Sequence, residues 1–122
     1  KLQEIEDICR KKCDELNLHC VFFQSNIEGE IVNKIHDAID KNISAIIINA
    51  AAYTHTSIAI LDALKMFEGV VIEIHITNIH SREKFRHRSY ISKVAKGIIA
   101  GFGKESYLMA IDFLYKFNKK KV

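Results

Sequence analysis

The sequence predicts an α/β fold, a doubly wound parallel sheet in a single domain, and three observations carry that prediction. Amphipathic stretches with helical spacing alternate with short β-branched runs, giving the order αβαβαβ(loop)βα along the chain. That order calls for parallel strands joined by right-handed crossovers. The runs Ala45-Ile46-Ile47-Ile48 and Val70-Val71-Ile72 are continuously apolar, as strands are when helices cover both faces of a sheet. Each run gives way to a polar cluster. The first leads into Asn49-Ala50-Ala51-Ala52-Tyr53-Thr54-His55-Thr56-Ser57, the second into a stretch from Glu73 to Arg86. Ligands bind beyond the carboxyl ends of such strands, so the two clusters form one expected pocket, suited to a small, polar, anionic molecule.

Each element has its own signal. Leu2, Ile5, Ile8, Cys9, Cys13 and Leu16 recur at helical spacing, so residues 1–17 read as an amphipathic helix. Residues 19–24 are β-branched and aromatic and read as a strand. Ser25 or Asn26 is the expected cap of a following helix, with Glu28 and Glu30 near its positive end and Ile31, Ile35, Ala38 and Ile39 as its buried stripe. Residues 45–48 form the next strand. Thr54, Thr56 or Ser57 starts a helix with Ile60, Leu61, Leu64 and Phe67 inward, and Gly69 fits its stop. Residues 70–76 and 97–100 are further strands, and a last helix runs from Lys104 to about Asn118. Four strands are therefore expected. The chain opens on a helix, whereas a doubly wound sheet opens on a strand that tends to be central. Without it, strand neighbours would be left unpaired in mid-sheet. Either the sheet has a different strand order, or the domain over residues 1–122 lacks an N-terminal strand.

Composition narrows the function. The chain has 122 residues, 48% hydrophobic and 27% charged, as in ordinary globular domains. No apolar run approaches the roughly 20 residues of a membrane span, and the first residues lack the apolar segment of a secretory signal. The net charge of +3 is mild and gathers at Lys116 and Lys119-Lys120-Lys121. No basic patch interleaved with aromatics is present, so neither nucleic acid nor a membrane is an expected partner. Cys9, Cys13 and Cys20 are odd in number and lack zinc spacing. They read as reduced thiols of a reducing compartment, the cytoplasm.

The chemistry concentrates in the two clusters. Alternation puts Val71, Glu73, His75 and Thr77 on one face of their strand and Val70, Ile72, Ile74 and Ile76 on the other. A carboxylate at i, i+2 fixes the imidazole tautomer and favours His75 as a proton donor; the same pattern also fits a core histidine with a hydrogen-bonded partner. His55 lies in a Thr-His-Thr-Ser run at a helix start, an anion- or hydroxyl-binding corner or simple capping. Asn49 offers both a donor and an acceptor. Asp62 either faces back to the pocket or is solvated. Arg82 and Arg86 would share a face if helical and suit a carboxylate or several hydroxyls, unless they only pair with Glu83. No Gly-rich phosphate loop, metal-ligand spacing or nucleophilic triad is present, which leaves metal-free proton transfer or plain binding.

Several stretches in register resemble type II 3-dehydroquinate dehydratase. They are Phe23-Gln24-Ser25-Asn26-Ile27-Glu28-Gly29-Glu30, Ile48-Asn49 through Ser57, Glu73-Ile74-His75-Ile76-Thr77-Asn78-Ile79-His80-Ser81-Arg82-Glu83, Phe85-Arg86-His87-Arg88-Ser89-Tyr90 and Gly101-Phe102-Gly103. The resemblance covers about residues 20–115. It implies a flavodoxin-like fold without metal or cofactor, assembled as trimers and as a dodecamer of four trimers. It implies the shikimate-pathway dehydration of 3-dehydroquinate to 3-dehydroshikimate, by anti elimination through an enolate. By the same resemblance His75 is the general acid, and Asn49, Ile76 and Thr77 hold the substrate carboxylate. His55, Asp62 and Arg86 hold ring hydroxyls, Arg82 lies near the base, and Glu73 and Asn78 support. Leu61 stands where the family often has Arg, and Thr77 where Ser is commoner. The family's first strand and its lid, with an Arg and the catalytic Tyr, have no counterpart in these residues, and no tyrosine here occupies the base's motif. The chain as given is therefore expected to lack normal activity. The alternative is a truncated, non-catalytic relative that oligomerises or binds a small hydroxy acid. A nucleotide- or flavin-binding module is disfavoured by the missing phosphate loop.

Overall fold

A computed structural model describes residues 2–120, without the side chains of the last two, so the side chains of the basic run 119–121 lie outside what is described. Helices α1 (Leu2–Glu15), α2 (Glu28–Asp40), α3 (Ile58–Met66) and α4 (Glu105–Lys120) surround strands β1 (Ala45–Ile48), β2 (Val70–His75) and β3 (Gly97–Ala100). The strands form a parallel sheet in the order β1-β2-β3. Ile48 lies level with Glu73, and His75 with Ala100. The α/β class and the parallel sheet are as the sequence predicts.

The alternation predicted for β2 sorts its side chains between two cores. Val71 joins Ile35, Ile60, Leu64 and Ile91 beneath α2 and α3. Ile72 and Ile74 pack against Ala110 and Leu114 of α4. Ile60, Ile74 and Ile91 are fully buried, each contributing about 1.5–3 kcal/mol through apolar burial. On the α4 side, α1 lays Cys9 and Cys13 against Ile111. Those thiols are free, and burial pushes Cys9 up to about 11 and Cys13 up to about 12. Among the described residues, no helix is long and apolar enough to cross a membrane.

Three local expectations are corrected. Residues 19–24 are not a strand; among the described residues the sheet has three strands rather than four. The segment has strand-forming residues, but no strand among the described residues lies beside it to complete a ladder, so Val21 and Phe23 stay exposed. The outer edge of β1 is likewise unpaired among the described residues. Ser25 does not cap α2: the cap position is Ile27, and the Ser25 hydroxyl accepts instead from the Ile27 N–H at 3.0 Å. Gly69 does not stop α3, which ends at Met66 with Phe67 as its cap. A Cβ at residue 69 would stand 2.3 Å from the Ser44 carbonyl oxygen. Glycine is required there because the chain entering β2 passes tightly against the backbone before β1. Ser57 does cap α3, accepting from the Ile60 N–H at 3.0 Å.

Candidate active site

The carboxyl ends of β1 and β2 open on a cavity of about 180 Å³. It is lined by Asn49, Ala51 and His55 from the first cluster, and by His75, Ile76, Thr77, Arg82 and Arg86 from the second, with Ala52 and Ile79 filling the wall. The two clusters do form one pocket.

The first wall is built by a tight turn after β1. Asn49 Oδ1 accepts from the Ala51 N–H at 3.1 Å, and Asn49 Nδ2 donates to the Tyr107 hydroxyl at 3.3 Å. Ala51 takes a left-handed φ of 51°, a conformation costly for a residue with a Cβ and typical of functional turns. Burial raises the pKa of Tyr107, against the opposing hydrogen bond from Asn49, so the phenol stays neutral. A 3₁₀ turn over Ala51–His55 then brings His55 to the cavity. Its Nδ1 lies 2.8 Å from the Arg88 carbonyl. A carbonyl can only accept, so Nδ1 carries the proton, and Nε2 is left as the acceptor of the neutral ring.

The second wall starts at the last residue of β2. His75 is 5% exposed and Glu73 0% exposed. His75 Nε2 donates to Glu73 Oε2 at 2.5 Å, which leaves Nδ1 as the free ring nitrogen. The rings of His55 and His75 stack with centroids 6.3 Å apart. Behind His75, its carbonyl accepts from the Gly101 N–H at 3.1 Å and the Ser106 hydroxyl at 3.5 Å. Burial raises the pKa of Glu73, but hydrogen bonds from His75, Ser92 and Ser89 and the nearby His75 charge outweigh it, and the net shift is downward. The carboxylate is ionised at neutral pH and accepts from the His75 ring.

The arginines reach the cavity without sharing a helix. Separate 3₁₀ turns over Ile79–Ser81 and Lys84–Arg86 are broken by Arg82 in extended conformation. Arg82 Nη1 donates to Thr77 Oγ1 at 3.4 Å, while Arg86 pairs with Glu83 at 2.8 Å and stacks over Phe85. Asn78 stays behind the wall, its Oδ1 accepting from the His80 N–H at 3.0 Å. Asp62 is exposed on α3 and is not among the lining residues. Tyr107, Ser89, Ser92 and the Arg88 carbonyl were not visible from sequence, because each meets its partner across a long separation. No tyrosine is among the lining residues. Among the described residues, no group of three or more His, Cys, Asp or Glu is placed to hold a metal.

Two histidines, two arginines and a ring of neutral donors suit proton transfer on a small anion. The comparisons with known proteins agree in kind. A family model described as Dehydroquinase class II matches residues 1–115. A 3-dehydroquinate dehydratase from Caldicellulosiruptor saccharolyticus is 54% identical over 105 residues, covering 86% of this chain and 72% of that protein. One from Bartonella henselae is 46% identical over 121 residues, covering 98% and 81%. The solved type II dehydroquinase from Butyrivibrio crossotus matches with a TM-score of 0.89 at 41% identity, covering 92% of this chain and 78% of that one. With the family model matching residues 1–115 of the 122, and the same fold in a solved relative, the chain belongs to the class II dehydroquinase family.

Proposed function

We propose that this protein is a hydro-lyase that dehydrates 3-dehydroquinate to 3-dehydroshikimate by anti elimination through an enolate, in the shikimate pathway. The buried Glu73–His75 pair carries the reading. His75 takes up a proton at Nδ1 and delivers it to the departing hydroxyl, which leaves as water. Glu73 holds the ring through Nε2–H and stabilises the imidazolium between those steps. Asn49, Ile76 and Thr77 take the substrate carboxylate, and His55 and Arg86 take ring hydroxyls. Arg82 stands where charge develops as the C2 proton is removed, and Asn78 supports the loop. Asp62 completes the hydroxyl-holding set in this reading; it lies exposed on α3, outside the cavity lining.

The base that removes the C2 proton is assigned to residues outside this chain, with the lid arginine. The free edge of β1 and the greater length of the relatives support that assignment. Assembly into trimers, and of four trimers into a dodecamer, is supported by exposed apolar residues such as Ile98 on β3 and Met109 and Phe113 on α4. Three free thiols support a cytoplasmic location. The test is ultraviolet detection of 3-dehydroshikimate formed from 3-dehydroquinate, by the chain alone and by the chain extended at its N-terminus to the relatives' length. The extended form is expected to turn over and the chain alone to fall far short of it. No product from the extended form would sink the assignment.

A further inference from the structure

One short segment reaches His55 directly and His75 through Glu73. The Arg88 carbonyl accepts from His55 Nδ1 at 2.8 Å. Four residues on, the Ser92 hydroxyl donates to Glu73 Oε1 at 2.6 Å, while the other oxygen of the same carboxylate accepts from His75. Ser89 backs Ser92, its Oγ accepting from the Ser92 N–H at 3.0 Å. The segment is anchored on all sides. Ile91 is fully buried in the core, Tyr90 N–H donates to the Thr54 carbonyl at 2.9 Å, and Lys96 N–H donates to the Val71 carbonyl at 2.7 Å.

A buried carboxylate with one oxygen unheld can rotate, and it then offers His75 either oxygen at variable angle. The Ser92 hydroxyl on Oε1 removes that freedom, because a carboxylate accepts and a hydroxyl there donates. We propose that Ser92, backed by Ser89, is a positioning residue that locks the Glu73 carboxylate and so fixes the His75 ring in its Nε2–H form with Nδ1 toward the cavity. The inference rests on the reading of His75 as the general acid, but the lock itself is measurable without turnover.

The first test reads the ring directly in the 122-residue chain. Imidazole ¹⁵N shifts of neutral His75, assigned against His75→Ala, should report one Nε2–H tautomer in the wild type and a mixture in Ser92→Ala. The same single tautomer in both would overturn the inference, whether or not the proposed reaction is the right one. The second test is kinetic, in the extended enzyme. Ser92→Ala should lower kcat about ten-fold, the scale of one lost charge-assisted hydrogen bond, with KM nearly unchanged, and Ser92→Thr should restore it. Loss of kcat that Thr does not restore would show a packing role instead and overturn the lock. Should Ser92→Ala fail to fold, Ser92→Cys keeps the volume with only a weak donor and is read by the same two criteria.

Discussion

Glu73→Gln separates what the buried carboxylate does for catalysis from what it does for the fold. The side chain is 0% exposed, with His75 Nε2 at 2.5 Å from one oxygen and the Ser92 hydroxyl at 2.6 Å from the other. Gln keeps the volume and an acceptor for His75 but removes the negative charge. A charge pair some 4 Å apart is worth about 4 kcal/mol at an effective dielectric of about 20. That is the ceiling on what the imidazolium loses, so kcat should fall by about 10²–10³-fold. Stability responds differently. The substitution relieves the desolvation of a buried anion while costing one matched hydrogen bond, since the Ser92 hydroxyl must now face an amide. These terms oppose, and exchanging a buried charge for a neutral group of the same shape is often near neutral. Unfolding in urea, followed by circular dichroism, should therefore shift by no more than about 1 kcal/mol, while ultraviolet assay of product gives the loss of kcat. Turnover within about three-fold of wild type would refute the electrostatic argument, because the charge would then be doing nothing for His75.

Two further predictions follow from the same geometry. Because the folded pKa of Glu73 is depressed below 4.5, its stabilising contribution is complete above that value and is lost as pH falls through the folded value. Urea midpoints of the wild type should drop in acid below about pH 4.5, and those of Glu73→Gln should fall less steeply. Gly69→Ala puts a Cβ 2.3 Å from the Ser44 carbonyl oxygen. It should destabilise by about 1–3 kcal/mol, the usual range for overpacking, with no change in the product assay's KM once folded. Wild-type stability would mean that the entry to β2 relaxes freely.

Much of this was legible in the chain, for physical reasons that can be named. The β2 alternation sorted Val71, Glu73 and His75 onto one face because strand geometry leaves no other choice, and the inward residues of α3 followed from helical spacing. Residues 19–24 misled because propensity describes a residue's fit to a sheet, whereas a strand also needs a partner edge. Gly69 misled because its constraint is an approach to Ser44, far away in sequence. Arg82 reaches the cavity from an extended residue and Arg86 from a 3₁₀ turn, so the shared face that their four-residue spacing would give in a helix does not arise. The supports of the site, Tyr107 under Asn49 and Ser92 under Glu73, join residues 58 and 19 apart, and no local pattern announces such pairs.

The central claim is that His75 gives its proton to the departing hydroxyl, and turnover of His75→Ala tests it most directly. In the enzyme extended to its relatives' length, product absorbance should show kcat down by roughly 10²-fold or more with folding intact. Turnover close to wild type would contradict the account.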